Sequence, residues 1–388
     1  MDKTCAALQA ALGSDKVLFP GSDAYAAALT SYFSPQVSGL HPQCFVTPRS
    51  ARDVSCVVET MRATGGEFAI RGGGHQWFRG AASCSGVSVD MRGLDSVVVS
   101  GDKSSVTVGA GATWDAVYEM CWASAPRAAV ISFEVVVADS SVVEASEQQN
   151  PDLWLGVRGG CNNFGIITSL DIKTFEQGLL WSSLTLNPLS AVDQQARVYA
   201  ELIDPAKYDE NASFLFGWSF NSTHKLSVAL NQLIYTKPSD NEVPAFYQPV
   251  LDLPTIPYLS TTVTFVSTEA MIRATFNAYN ASLPWNVNLE PLPPQLYARG
   301  AQDNALGLAD RSGPLAVCLL SPAWSRADDD DKVYAAARAL MDEIDRRARD
   351  LGAHDPYIYI NYAAPGQEVI ASYGQASVVQ LQPRQDMG

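Results

Sequence analysis

Apolar and polar residues alternate along this chain with two clear periods. Between Ser50 and Gly66 the apolar positions Val54, Val57, Val58 and Met61 fall at i, i+3, i+4 and i+7, one face of a helix. Ser50 with Asp53 reads as a capping box at its start, and Gly65-Gly66 ends it. Residues 5–13 have helical character up to Gly13, and Thr113 is placed to cap a helix running to Met120. Short strand signals lie at residues 68–70, 86–91 and 105–108, and a hairpin signal pairs 133–138 with 142–145. Residues 31–46, with Pro35 and Pro42, read as irregular. Beyond residue 179 the texture changes to β-type alternation rich in aromatics, at 181–186, 214–220, 226–235 and 261–265, separated by proline-rich turns. Four consecutive acids, 328–331, precede a strong helical pattern with Val333, Ala337, Leu340, Ile344 and Leu351 on one face. Acids at a helix start complement its dipole, and consecutive acids point in different directions, so this run is read as structural and no metal site is expected.

Composition narrows the classes. A chain of 388 residues holds two domains and a large core. Its net charge of −15 argues against nucleic acid and anionic membranes as partners. No apolar run approaches the ~20 residues of a membrane span. Seven cysteines show no metal-ligand spacing. Asn211, Asn221 and Asn280 each open a glycosylation triplet. The N-terminus lacks a continuous apolar stretch; an upstream signal peptide would fit the triplets, while the chain as written fits the cytosol.

The candidate chemistry centres on residues 68–80, FAIRGGGHQWFRG. A strand runs into Arg71, then Gly72, Gly73, Gly74 and His75. Consecutive glycines let the backbone turn and expose several N–H groups on one side, a nest suited to a pyrophosphate, with an imidazole next to it. Further on, the helix opened by Asn150 leads into Arg158-Gly-Gly-Cys-Asn-Asn-Phe-Gly165-Ile166-Ile-Thr168, and near the end stands Tyr357-Ile-Tyr-Ile-Asn361-Tyr362.

These three segments, in this order, resemble the PCMH-type FAD-linked oxidoreductases of the vanillyl-alcohol-oxidase-like superfamily, in particular the berberine-bridge-enzyme-like oxidases, of fungal kind. The family loop reads R-S-G-G-H; its serine position is Gly72 here. The resemblance implies an α+β fold: a PCMH-type FAD-binding domain over residues 1–178, a substrate domain built on an antiparallel sheet over 179–345, and a return to the FAD domain over 346–388. It implies FAD as cofactor, cradled by Arg71, Gly72, Gly73 and Gly74. His75 carries the flavin covalently in many members. Gly109 and Gly111, Gly165 and Ile166, and Asn361 fall at positions that approach the cofactor. Tyr362 takes the place of a tyrosine that deprotonates a substrate hydroxyl; packing is the other reading of Tyr357, Tyr359 and Tyr362. The activity implied is oxidation of a small molecule, a secondary metabolite or carbohydrate, with electrons passed to dioxygen by a monomeric enzyme.

Two departures go with the resemblance. The family carries a glycine-rich, flavin-lining stretch after the helix ending at Met120; here Cys121 runs almost directly into Ile131, and residues 121–131 read as internally shortened. The family's closing C-terminal segment also has no match in residues 375–388. A second expectation therefore stands beside the first: a non-catalytic or truncated relative, or the product of a mis-spliced gene model, that does not hold FAD productively. For the N-terminal helix, family practice suggests a Cys5–Cys56 disulfide, and two reduced buried thiols are the alternative.

Overall fold

The computed structural model describes residues 2–121, 125–221, 225–238, 242–256, 261–267, 270–271, 285–300 and 303–382. The chain divides into two compact units, residues 1–176 with 364–366, and residues 177–363 with 367–388.

The first unit holds two sheets. One has the order β1-β2-β4-β3, with β1 (Val17–Leu18) antiparallel to β2 (Cys44–Val46), and β2, β4 (Val87–Asp90) and β3 (Phe68–Arg71) parallel. Helices α1 (Lys3–Leu12) and α4 (Ala51–Thr64) pack on it. The helical periodicity holds as expected: Val54, Val57, Val58 and Met61 are all buried. Ser50 Oγ accepts the Asp53 N–H at 3.1 Å, and Gly65 ends α4 in the left-handed region at φ 66°. Asp53 closes the box differently from the textual pattern, taking the Arg49 N–H at 2.8 Å and the Lys16 ammonium at 2.7 Å. The cysteine pairing differs from expectation. Cys5 bonds Cys44 at the start of β2, and Cys56 is free and half-buried on α4. Both bridged cysteines are completely buried between α1 and the sheet.

The second sheet of this unit has the order β5-β6-β9-β7-β8 and is antiparallel throughout: β5 (Val97–Val99), β6 (Ser105–Gly109), β9 (Ile166–Phe175), β7 (Ala125–Val136) and β8 (Val142–Ser146). Helix α5 (Trp114–Met120) ends four residues before β7 begins. The hairpin expected at 133–145 is the β7–β8 pair. The β7–β9 register slips at three places, between residues 126 and 130, 130 and 132, and 134 and 135.

The second unit is built on a six-stranded antiparallel sheet ordered β13-β10-β12-β11-β14-β15. Its strands are β10 (Leu180–Pro188), β11 (Ala212–Asn221), β12 (Leu226–Tyr235), β13 (Thr261–Val266), β14 (Trp285–Leu292) and β15 (Leu315–Pro322). One face buries Trp181, Phe214, Phe216 and Leu233 against Tyr199 of the helix Val192–Leu202 and against Tyr247. The aromatics of this region are thus largely core, as their frequency in interiors suggests. The helix Asp330–Asp350 forms where its acids and apolar stripe place it, but none of its residues is fully buried among the described residues, and Leu351 lies beyond its end, 80% exposed. The Asn221 and Asn280 side chains lie outside the described residues; the Asn211 amide is half-buried and donates to Asp209 Oδ1 at 3.0 Å.

Candidate functional site

The glycine loop leaves the end of β3 and turns outward. Gly74 requires its glycine: φ is 77°, and a Cβ there would stand 2.7 Å from Arg71 Nε. Gly73 is exposed and nothing lies within 4 Å of where its Cβ would be. The N–H groups of Gly73, Gly74 and His75 find no acceptor among the described residues. Three successive unpaired N–H groups, on a buried Gly74 between the exposed Gly73 and His75, suit a phosphate.

Arg71 is the exception in this loop. Its side chain turns inward and is 1% exposed. Nη1 donates to Ala28 O at 3.0 Å, Nη2 to Ser31 O at 2.7 Å, and the guanidinium lies 4.0 Å over the Tyr32 ring. The group therefore caps the C-terminal end of α2 (Asp23–Thr30), where carbonyls lack helical partners. Asp90, 2% exposed, lies 3.7 Å away and is held by Arg92 at 2.6 Å. Burial pulls the Arg71 guanidinium below its ordinary value while Asp90 opposes that shift. Arg71 is a strut under the loop: Nη1 and Nη2 are spent on residues 28 and 31, while Nε is buried beside Gly74 without a hydrogen-bond partner among the described residues.

Gly109 and Gly111 sit against backbone. A Cβ on either would overlap a carbonyl oxygen, that of Leu94 for Gly109 and that of Met91 for Gly111. Gly109 donates to Ser96 O at 2.8 Å, Ala110 to Thr168 O at 3.0 Å and Gly111 to Leu94 O at 3.0 Å, which stitches this turn between two neighbours. A Cβ on Gly72 would come to 3.4 Å from Ala110 O, so the loop 72–75 and the turn 109–111 lie side by side. Gly165, at φ 145°, packs on Val135 and Val136, and the Ile166 side chain is buried in the core with Val136. These four residues bring backbone close to backbone; their side chains or missing side chains are used by the fold.

Asn361 and Tyr362 belong to the second unit, on a 3-10 turn rather than a strand. Asn361 Nδ2 donates to Tyr359 Oη at 2.7 Å. Tyr362 Oη donates to Glu290 Oε1 at 2.8 Å. Glu290 was not singled out from the sequence. Its signal was an acid in an alternating strand, β14, where Asn286, Asn288 and Glu290 occupy alternate positions. Burial raises the Glu290 carboxyl above its ordinary value, and the hydrogen bond from Tyr362 works against that rise.

Residues 42–126 match the FAD binding domain family. The FAD-dependent monooxygenase sdcF of Emericella nidulans is 28% identical over 95% of this chain and 91% of its own length. Over nearly its whole length the chain is thus similar to FAD-dependent oxidoreductases, and its matched domain is an FAD-binding one. FAD is the cofactor of the family. A Diaporthe leptostromiformis protein named oligopeptidase PhomG' is 36% identical over 96% of this chain, which spans 35% of that protein's length. Both alignments, over 434 and 442 residues, are longer than the chain itself, so these relatives carry residues that it lacks. Among solved structures, Physcomitrella patens BBE-like 1 superposes with a TM-score of 0.75 at 16% identity, covering 98% of this chain and 95% of that one. Xylooligosaccharide oxidase from Myceliophthora thermophila, in complex with xylobiose, gives 0.74 at 18% identity, with the same coverage. At these identities the likeness is one of fold, and it is the α+β PCMH-type fold that the sequence resemblance implied. No helix among the described residues is long and apolar enough to cross a membrane.

Proposed function

We propose that this FAD-linked oxidoreductase is an oxidase of a small hydroxyl-bearing molecule, a secondary metabolite or carbohydrate, with dioxygen as electron acceptor and a single chain as the working unit. Bound FAD supplies a two-electron acceptor next to the substrate. The N–H groups of Gly73, Gly74 and His75 hold its pyrophosphate, and His75 carries it covalently. Gly72, Gly165, Ile166 and Asn361 contribute backbone or amide contacts. Gly109, Gly111 and Arg71 hold the framework around it.

The observation that carries this reading is the Tyr362–Glu290 hydrogen bond at 2.8 Å. A tyrosine has a pKa near 10 and is a poor base alone. Here its proton has an acceptor in line, a carboxylate whose proton affinity is raised by burial. Tyr362 takes the substrate's hydroxyl proton as its own passes to Glu290. The substrate carbon gives up a hydride, the alcohol becomes a carbonyl, and dioxygen leaves as hydrogen peroxide. The test is the visible flavin absorbance of the purified full chain, followed by peroxide formation on a panel of sugars and benzylic alcohols. A yellow protein that forms peroxide, and loses this on Tyr362→Phe, supports the reading. A colourless, folded protein overturns it.

A second reading, a relative that does not hold FAD productively, has its own support. The two alignments exceed the chain's length, α5 is followed almost at once by β7, and β7 slips register against β9 three times. The same absorbance measurement separates the two.

A further inference from the structure

Residues 31–34, the link between α2 and α3 (Pro35–Ser38), meet the glycine loop at four successive points. Ser31 O and Oγ accept from Arg71 at 2.7 and 3.0 Å. The Tyr32 ring lies under the same guanidinium. The Phe33 N–H donates to Gly74 O at 3.2 Å. Ser34 Oγ donates to Trp77 O at 2.7 Å. The segment is a strap along the loop, one residue of strap for each of its turns.

Phe33 is the unusual member. Its side chain is 64% exposed, a poor place for a large apolar ring, and it lies stacked on the His75 imidazole, with ring centres 4.3 Å apart and planes at 24°. A scattered surface phenylalanine needs no explanation. Among the described residues this one makes its only ring contact with the residue proposed to carry the cofactor, while its own backbone bonds the residue before it.

We propose that Phe33 is the positioning residue for His75, fixing the imidazole plane for covalent attachment of the flavin. This rests on the reading that His75 bears the cofactor. In that attachment a His75 ring nitrogen replaces one hydrogen of the cofactor's 8α-methyl group; one hydrogen leaves from each partner, and dioxygen takes both with their two electrons as hydrogen peroxide. A free imidazole samples three wells at χ1 and about two at χ2, roughly six orientations. Phe33 restricts these by occupying one face of the ring.

The test uses the full chain expressed as wild type, Phe33→Ala, Phe33→Tyr and His75→Ala. Purified protein is assayed for total flavin, for flavin that stays in the acid precipitate as a function of time with added FAD in air, and for thermal midpoint. The expected result is that Phe33→Ala keeps the wild-type midpoint and total flavin but forms acid-stable flavin about sixfold more slowly. Phe33→Tyr restores the rate, because its ring stacks equally well. A Phe33→Ala rate equal to wild type, with His75→Ala giving no acid-stable flavin, overturns the role of Phe33 alone. So does a sixfold slowing that comes with lost total flavin or a lowered midpoint, since that marks Phe33 as a fold residue. Wild-type protein without acid-stable flavin overturns attachment at His75 and Phe33's role with it.

Discussion

Replacing two glycines by alanine separates residues that serve the fold from residues that serve the cofactor. At Gly109 an added Cβ overlaps the Leu94 carbonyl oxygen and stands 2.7 Å from its carbon. Both obstacles are backbone, fixed by the hydrogen bonds from Gly109 to Ser96 O and from Gly111 to Leu94 O. No rotamer change relieves the clash, so the cost lies toward the upper part of the ~1–3 kcal/mol seen for overpacking. The stiffer unfolded chain returns ~0.4–1 kcal/mol. The net loss is about 2 kcal/mol, a drop of about 4–8 °C in thermal midpoint for a domain of this size. At Gly73 nothing lies within 4 Å and φ is not positive, so Gly73→Ala leaves stability unchanged or slightly higher. Its methyl instead enters the cradle and holds a phosphate away from the N–H groups. Losing one hydrogen bond to a charged group costs ~1.5–3 kcal/mol, a tenfold or greater loss in FAD affinity. Calorimetry of both variants, with flavin content measured on the same samples, checks the pair. The reasoning is refuted if Gly109→Ala melts within 1 °C of wild type, or if Gly73→Ala retains full flavin.

Three further outcomes follow from the same structure. Tyr362→Phe should lower turnover by roughly 10²–10⁴ without changing flavin content, read by peroxide release and absorbance; unchanged turnover would remove Tyr362 from the chemistry. Glu290 is held protonated by burial to higher pH in the folded than in the unfolded chain. Stability therefore falls as pH rises from the ordinary glutamate value of 4.5 through the raised folded value, and the loss persists above it. Glu290→Gln should show a stability advantage over wild type that grows across that window in urea titrations; a pH-independent difference would contradict it. Cys44→Ser should destabilise the first unit by about 4 kcal/mol, the chain-entropy value for a bridge spanning 39 residues, measured by urea unfolding with and without reductant. An equal loss in reduced wild type is part of that expectation.

Much of the fold was legible because local rules and tertiary needs agreed. The face formed by Val54, Val57, Val58 and Met61 is periodic in the sequence and buried in the molecule. The alternation beyond residue 179 is that of a six-stranded antiparallel sheet. The glycine loop and His75 stood out because glycine runs are rare and their backbone consequence is local. At Gly109, Gly111 and Arg71 the fold itself also makes a demand, through close backbone at the two glycines and the carbonyls of residues 28 and 31 at Arg71. Sequence marks where a residue without a side chain, or with a charged one, is needed; it does not say whether a cofactor or another stretch of backbone makes the demand.

What the sequence indicated by itself was the helix over residues 51–64, the hairpin and the alternating strands beyond 179, which follow from periodicity and turn chemistry, while the fold class and FAD came from the resemblance of three motifs in order; residues 31–46, which read as irregular, hold the helix Pro35–Ser38 and the strand Cys44–Val46. What only the tertiary structure decided were long-range pairings. Cys5 chose Cys44 over Cys56 because β2, not the outer face of α4, passes beneath α1. Glu290 met Tyr362 across 72 residues of chain, and Phe33, from a segment that reads as irregular, met His75 beyond the intervening helices and strands. Such contacts cost loop-closure entropy that no local pattern records. They exist because the sheets and helices around them hold both partners in place.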